Sequence, residues 1–141
     1  MEPYSEEALP LNEHGYIRSI HRLLPTELFK WKIHDNYAGG VPDCFYAGPT
    51  AQLWVEYKWL AKLPAMPKTM IKPKLSAQQL AWLIKMSGLS FPCAVIIGTP
   101  HGGLLLDDPF KWTNGLMKKK AETQLITTQD LAKKIHQHCT G

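Results

Sequence analysis

Three segments of the chain carry the apolar spacing of amphipathic helices. The first covers residues 13–24 and follows Asn12, a residue type that caps helix N-termini. Its apolar stripe consists of Tyr16, Ile17, Ile20 and Leu24. The second covers residues 77–88 after Ser76, and the third, QDLAKKIHQHC, follows Thr127 or Thr128. We therefore expect a helix near each end of the chain and one in the middle.

Five other segments have the short apolar or alternating pattern of β-strands. In residues 28–35 three apolar side chains alternate with two lysines, so that Phe29, Trp31 and Ile33 face one way and Lys30 and Lys32 the other. Residues 92–98 are almost continuously apolar, which is typical of a strand buried on both faces. The remaining predicted strands are 41–47, 52–60 and 103–107. The order of elements predicts an α/β or α+β fold, with helices packed on a mixed sheet.

Two segments lack such patterns. Residues 61–74 hold three prolines and four lysines and predict a long loop, a feature that is often functional. Residues 108–121 predict irregular structure that carries three consecutive lysines. Either segment is a candidate for contacts with a partner.

Composition and charge narrow the class of protein. The chain has 141 residues, 45% of them hydrophobic and 20% charged, which fits one folded domain over residues 1–141. No apolar run approaches the roughly 20 residues needed to span a bilayer, and the acidic N-terminus predicts no signal peptide. Three widely separated cysteines without a CxxC pair favour a reduced, cytoplasmic protein. The net charge of +4 permits a nucleic-acid partner without establishing one.

Two carboxylates fall within the predicted strands on either side of a tight turn. The sequence GPTA at residues 48–51 suits a β-turn, and pairing Gly48 with Ala51 places Asp43 directly opposite Glu56. Like charges in that position are destabilising, and a bound cation such as Mg²⁺ would remove the penalty. Lys58 lies on the same face as Glu56 because strand side chains alternate.

A simpler interpretation remains open for these charges. Glu56 and Lys58 could be an ordinary surface pair on a solvated sheet face, with Val55 and Tyr57 turned to the core. A bulge at the turn would shift the register by one residue and remove the opposition of Asp43 and Glu56. The hypothesis of a site therefore depends on the register of this hairpin.

The sequence resembles the PD-(D/E)XK nuclease superfamily, and within it virus-type replication-repair nuclease (VRR-NUC) domains and phage Holliday-junction resolvases. The resemblance covers roughly residues 12 to 137, nearly the whole chain. Four elements occur in the order of that family: a KIH strand, a G-x-PD turn, a VE-x-K strand and an LS-x-x-Q helix start. They correspond here to residues 32–34, 40–43, 55–58 and 75–79.

The resemblance implies roles for the charged residues of the hairpin. Asp43 and Glu56 would bind a divalent metal, Mg²⁺ or Mn²⁺, with the backbone carbonyl of Tyr57 as a third protein ligand. Lys58 would orient or activate the hydrolytic water. The implied fold is a restriction-endonuclease-like mixed β-sheet flanked by helices.

Two further residues are candidates for the same site. Glu13 lies on the inward stripe of the first helix, although a first-turn glutamate in solvent is an equally good interpretation. Gln79 has the family spacing from Ser76, whereas its neighbour Gln78 does not. His21 could approach the site, but we favour a buried histidine with a satisfied hydrogen bond.

The resemblance predicts a metal-dependent endonuclease that cleaves branched DNA and works as a homodimer, in a phage or bacterial cell. A non-specific nickase or exonuclease, or a DNA-binding module that no longer cleaves, remains an alternative. The basic segments could contact the DNA backbone, form a dimer or partner contact, or present a solvated face. The candidate DNA contacts are Lys32, Lys62, Lys68, Lys72, Lys74, Lys118, Lys119 and Lys120.

Overall fold

The structure is a computed structural model that describes residues 10–34 and 39–141. The prediction that the N-terminus is no signal peptide concerns residues 1–9, which lie outside the described residues. Asp35, the predicted end of the first strand, lies outside them as well. No helix in the described part of the chain is long and apolar enough to cross a membrane.

A five-stranded mixed sheet forms the centre of the protein, in the order β1-β2-β3-β5-β6. Its strands are β1 Phe29–Lys32, β2 Cys44–Ala47, β3 Gln52–Trp59, β5 Cys93–Thr99 and β6 Gly102–Leu106. A separate two-stranded sheet pairs β4 Met70–Ile71 with β7 Leu116–Met117. Strands β3 and β5 are parallel, and the other neighbours are antiparallel. The predicted fold class is confirmed.

The helices are α1 Glu13–Leu23, α2 Ala77–Gly88, α3 Pro109–Asn114, α4 Lys118–Gln124 and α5 Thr128–Thr140. The predicted N-caps are confirmed, because Asn12, Ser76 and Thr127 each accept a hydrogen bond from a backbone N–H of the first turn. The strand predicted over residues 92–98 is also confirmed, since every residue of β5 is buried.

The sheet has two differently covered faces. Helices α1 and α5 pack on one face, in a core that includes Tyr46, Val55 and Tyr57. The opposite face packs against α2 and α3, in a second core that includes Val95, Leu83 and Trp112. Because side chains alternate along β3, Glu56 and Lys58 point to this second face. Any site built on them lies on the side of the sheet that α2 covers.

The predictions for residues 61–74 and 108–121 were wrong in part. Residues 61–74 include β4, and residues 108–121 include α3, β7 and the start of α4. Strands of two residues that pair across about 45 residues of chain leave no periodic signal. Helix α3 did leave a local signal in the sequence, because Asp108 caps it and Pro109 occupies its first position.

Strands β1 and β2 are shorter than predicted, and two glycines precede β2 in the described part of the connection between them. Gly39 and Gly40 have φ angles of +60° and +82°, in the left-handed region that favours glycine. A Cβ on Gly40 would lie 2.5 Å from the carbonyl oxygen of Gln78 in α2. Glycine therefore lets this turn pack against the start of α2, immediately before Asp43.

Candidate active site

The register of the β2–β3 hairpin is the one predicted from the turn. Cys44 pairs with Val55, and Ala47 pairs with Gln52. The backbone N–H of Gly48 donates to the carbonyl of Ala51 over 3.0 Å, so no bulge shifts the pairing. The same register, continued by one residue beyond the strand, sets position 43 opposite position 56.

Asp43 is held at the start of β2 by its neighbours on both sides. Its Oδ2 accepts a hydrogen bond from the backbone N–H of Tyr57 over 2.8 Å. Its backbone carbonyl accepts from the N–H of Ile33 over 2.7 Å, next to strand β1. The carboxylate is partly exposed and is therefore fixed in orientation while still accessible. It is well placed to bind a ligand together with β3.

Glu56, Lys58 and Gln79 form one connected group of side chains. Lys58 Nζ lies 3.4 Å from Glu56 Oε2 and donates to Gln79 Oε1 over 3.1 Å. Gln79 Nε2 in turn donates to Glu56 Oε2 over 3.1 Å. Glu56 is only 3% exposed, which excludes the interpretation of an ordinary surface pair. Gln79 thus links the lysine to the carboxylate.

The first turn of α2 positions Gln79 in this group. Gln79 and Ser76 form a capping box, in which Gln79 N–H donates to Ser76 Oγ and Ser76 N–H donates to Gln79 Oε1. The amide oxygen of Gln79 therefore serves both the helix cap and Lys58. Gln78, which the family spacing excluded, lies instead against the turn at Gly39 and Gly40.

The electrostatics of the site favour a positive charge between the carboxylates. Burial, followed by the charge of Asp43, raises the pKa of Glu56 to about 8, while Lys58 acts to lower it. Burial and then the charge of Asp43 also raise the pKa of Glu13, so this glutamate lies within electrostatic reach of the site. The negative charges of Glu13, Asp43 and the mostly buried Glu56 are therefore energetically unfavourable together unless a cation is present in addition to Lys58.

The available donors fit a hard divalent cation. Among the described residues, no group of three or more His, Cys, Asp or Glu side chains is arranged to hold a metal ion. Mg²⁺ needs less than that, since it is commonly bound by one or two carboxylates together with water and phosphate oxygens. Asp43 and Glu56 supply such a pair, and burial raises the pKa of the neighbouring Cys44 thiol to about 12, so that it stays protonated and the site offers oxygen ligands.

Tyr57 and His21 lie on the other side of β3. The Tyr57 side chain is fully buried, and its hydroxyl shares a 2.7 Å hydrogen bond with the hydroxyl of Tyr46. His21 Nε2 lies 2.7 Å from the same Tyr46 hydroxyl. Burial, then the charges of Lys30 and Lys32, lowers the pKa of His21 to about 4. His21 is therefore a hydrogen-bonded neutral histidine of the α1 layer, as favoured from the sequence.

The two basic segments meet in space through the small β4–β7 sheet. Lys118 N–H donates to Thr69 O and Lys119 N–H to Pro67 O, so the lysine run lies beside residues 61–74. Lys118 forms a 3.2 Å ion pair with Glu122. The exposed lysines of this surface are Lys62, Lys68, Lys72, Lys74, Lys119 and Lys120.

The sequence did not indicate the groove that adjoins the site. It is lined by side chains from β1, β3, α2 and the turn before Asp43, with a volume of about 580 Å³. Three of its residues are the tryptophans Trp31, Trp54 and Trp82. The alternation of Phe29 and Trp31 was visible in the sequence, but their exposure of 55% and 49% was not.

Comparison with known proteins supports the class of fold. No protein-family model matches the chain, and no curated protein sequence matches it. The sheet and its helices are arranged as in a Holliday junction resolvase. That structure is Hjc from Archaeoglobus fulgidus, an archaeal hyperthermophile, with a TM-score of 0.52 and 12% sequence identity over 86% of this chain and 96% of that chain. This similarity establishes the fold and leaves the function to be argued from the site.

Proposed function

We propose that this protein is a divalent-metal-dependent endonuclease of the PD-(D/E)XK type that hydrolyses phosphodiester bonds in DNA. One observation carries the proposal: a buried glutamate, Glu56, lies near Asp43 and is linked to Lys58 through Gln79. This arrangement raises the pKa of Glu56 to about 8, which means that the ionised glutamate is destabilised in the fold. Folding alone therefore gives no reason for a glutamate at this position. Strongly perturbed carboxylates of this kind are typical of functional sites.

The proposed cation is Mg²⁺ or Mn²⁺, held by Asp43, Glu56 and the backbone carbonyl of Tyr57. When bound, such an ion lowers the pKa of a water molecule and stabilises negative charge on a phosphate. Asp43 is oriented for this by the Tyr57 N–H, and Glu56 by the Gln79 amide. Glu13, the first residue of α1, is proposed to add a further negative charge to the same site.

Lys58 is the proposed catalytic cation. Its ammonium group is held by Glu56 and Gln79, and its side chain is 21% exposed, so one side remains open to a substrate. There it would orient the water that attacks phosphorus and stabilise charge on the phosphate oxygens. The water loses a proton as its oxygen bonds to phosphorus, the bond between phosphorus and the leaving oxygen breaks, and the leaving oxygen takes up a proton. No covalent enzyme intermediate is involved.

Branched DNA is the proposed substrate, and a homodimer is the proposed assembly. The shared fold with a Holliday junction resolvase supports this choice over a sequence-specific nuclease. Resolving a four-way junction needs two cuts, which a two-fold dimer would supply. The exposed lysines near β4 and β7 are proposed to contact DNA phosphates.

Cleavage of a substrate panel tests this proposal. Wild-type protein with Mg²⁺ is expected to cut a four-way junction faster than a flap or a linear duplex. Lys58→Met is expected to lower the rate by about 10²- to 10⁴-fold, and Asp43→Asn to abolish cleavage. Lys85→Met removes an exposed lysine at the far end of α2 and serves as the matched control.

The other possible results of these assays distinguish a resolvase from the alternative functions. Paired nicks at a plasmid cruciform would support a resolvase, whereas unpaired nicks or shortened ends would favour a nickase or an exonuclease. Binding to DNA without any cleavage would favour a non-cleaving module. Cleavage by Asp43→Asn and Lys58→Met at the wild-type rate would refute the proposed mechanism.

A further inference from the structure

A row of aromatic side chains runs across the sheet face that carries Glu56 and Lys58. The ring centroids of Trp31 and Phe45 are 6.5 Å apart, those of Phe45 and Trp54 4.5 Å, and those of Trp54 and Trp82 5.3 Å. Phe29 joins the row at 6.2 Å from Phe45. The row therefore extends without a break from the edge strand β1 to helix α2.

The outer end of this row is open to solvent. Trp31 is 49% exposed and Phe29 is 55% exposed, although both lie on the face that α2 and α3 bury farther along the sheet. The groove beside them is bounded by Trp31, Lys32, Ile33, His34, Val41, Trp54 and Trp82. Large exposed aromatic surfaces on soluble proteins commonly mark a binding site.

The groove is in register with the candidate active site. Trp54 lies two residues before Glu56 on the same face of β3, and Val41 lies two residues before Asp43. Trp82 lies three residues after Gln79, on the same face of α2. Two residues of a strand span about 6.6 Å. A nucleotide whose phosphate lay at the carboxylates would therefore bring a neighbouring base to the tryptophans.

The charge beside the groove suits a nucleotide. His34 lines the groove and Lys58 lies at the adjoining site, whereas the side chain of Lys32 alternates to the α1 face, where its charge acts on His21. Flat aromatic faces next to cations are the usual combination for binding unpaired bases and their phosphates.

We infer that this groove stacks an unpaired nucleobase of the DNA, so that the preferred substrate carries an unstacked nucleotide next to the scissile phosphate. The inference rests on the proposed nuclease function and specifies its substrate. Trp31 supplies the exposed stacking surface, and Trp54 and Trp82 form the inner wall. Stacking accepts any base, so the groove selects for unpaired structure and leaves the base sequence unread.

Binding measured without divalent metal tests the inference while no cleavage takes place. The probes are a short fluorescein-labelled duplex and the same duplex with one unpaired thymidine, followed by fluorescence anisotropy. Trp31→Leu should weaken binding of the bulged duplex by about 5- to 100-fold and leave the paired duplex unaffected. Trp31→Phe should retain most of the affinity because its ring can still stack. Phe110→Leu, which removes another exposed aromatic ring, should match the wild type.

A second readout is tryptophan fluorescence, for which the wild-type protein by itself is enough to refute the inference. The bulged duplex should quench tryptophan emission more strongly than the paired duplex, and Trp31→Phe should remove most of that difference. Equal quenching by the two probes would overturn the inference even if Trp31→Leu failed to fold.

The remaining outcomes separate this inference from the proposed function. If Trp31→Leu binds the bulged duplex like the wild type, or weakens both probes equally, base stacking in the groove is refuted while the nuclease proposal stands. If Trp31→Leu converts a dimer to a monomer in sedimentation, the groove is occupied by a second copy and the inference is wrong. If the wild type neither binds the probes nor cleaves DNA with Mg²⁺, both the inference and the proposed function fail.

Discussion

Replacing Glu56 by glutamine should stabilise the metal-free protein at neutral pH while removing its response to Mg²⁺. Burial and Asp43 raise the pKa of Glu56 from 4.5 to about 8 in the folded state. The folded protein therefore keeps a proton that the unfolded chain releases. The stability contributed by the neutral carboxyl group is fully present below about pH 4.5 and is lost as the pH rises through about 8. Glutamine has no such dependence.

The size of the effect follows from these pKa values. Each pH unit between them costs about 1.4 kcal/mol, so the free energy of unfolding of the wild type falls by about 3 kcal/mol between pH 4.5 and pH 7. Glutamine is neutral at every pH, so Glu56→Gln should be more stable than the wild type at pH 7 by about 3 kcal/mol. This difference corresponds to a rise in Tm of about 6 to 12 °C.

Thermal unfolding followed by circular dichroism at pH 5, 7 and 8 measures this effect, first in EDTA and then in Mg²⁺. Saturation with Mg²⁺ at about 100 times its Kd should stabilise the wild type by about 2.7 kcal/mol and leave Glu56→Gln unchanged. Glu122→Gln is the matched control, because Glu122 is 49% exposed and its ion pair with Lys118 lies on the surface. Its change should stay within about 0.5 kcal/mol.

One result would refute the reasoning directly. If Glu56→Gln lowers Tm by the same amount at pH 5 and pH 8 in EDTA, the carboxylate stabilises the fold by itself. The site would then need no cation, and the argument from its buried charge would fail. A rise in Tm with Mg²⁺ that survives in Glu56→Gln would place the metal elsewhere.

Three further predictions concern the surroundings of the site. Gln79→Ala and Ser76→Ala should each lower the free energy of unfolding by about 1 kcal/mol because both break the capping box. Only Gln79→Ala should also slow DNA cleavage, and equal cleavage rates for the two variants would show that Gln79 has no role in the site. Gly40→Ala should cost more than about 2 kcal/mol in urea unfolding, since a Cβ there would lie 2.5 Å from a backbone oxygen of α2, whereas Gly88→Ala meets no atom within 4 Å and should be neutral or slightly stabilising. Because the pKa of His21 is lowered to about 4, its contribution to the free energy of unfolding should be fully present above pH 6.5 and decline toward pH 4. His21→Gln should flatten that decline in thermal unfolding, and an unchanged pH profile would show that this histidine is not its source.

The hairpin could be predicted from sequence because local rules fix it. The turn at Gly48 sets the register, and the alternation of side chains then places Asp43, Glu56 and Lys58 relative to one another. The caps at Asn12 and Ser76 are local as well, since each depends on one side chain and the first turn after it.

The features that the sequence did not reveal depend on contacts between distant segments. The β4–β7 pairing joins Met70 to Met117, and neither strand is long enough to show a period. The burial of Glu56 depends on α2 packing over β3, which strand alternation cannot indicate. The exposure of Trp31 arises because β1 is an edge strand, and its apolar pattern alone suggested nothing unusual.

Single-turnover cleavage of a four-way DNA junction across a Mg²⁺ titration tests the central claim most directly. The claim is that Asp43 and Glu56 bind the metal ion on which hydrolysis depends. The wild-type rate should be zero in EDTA and should rise to a plateau with Mg²⁺, while Asp43→Asn, folded to the same extent by circular dichroism, should show no cleavage at any concentration. Cleavage by the wild type in EDTA, or a wild-type titration curve for Asp43→Asn, would contradict it.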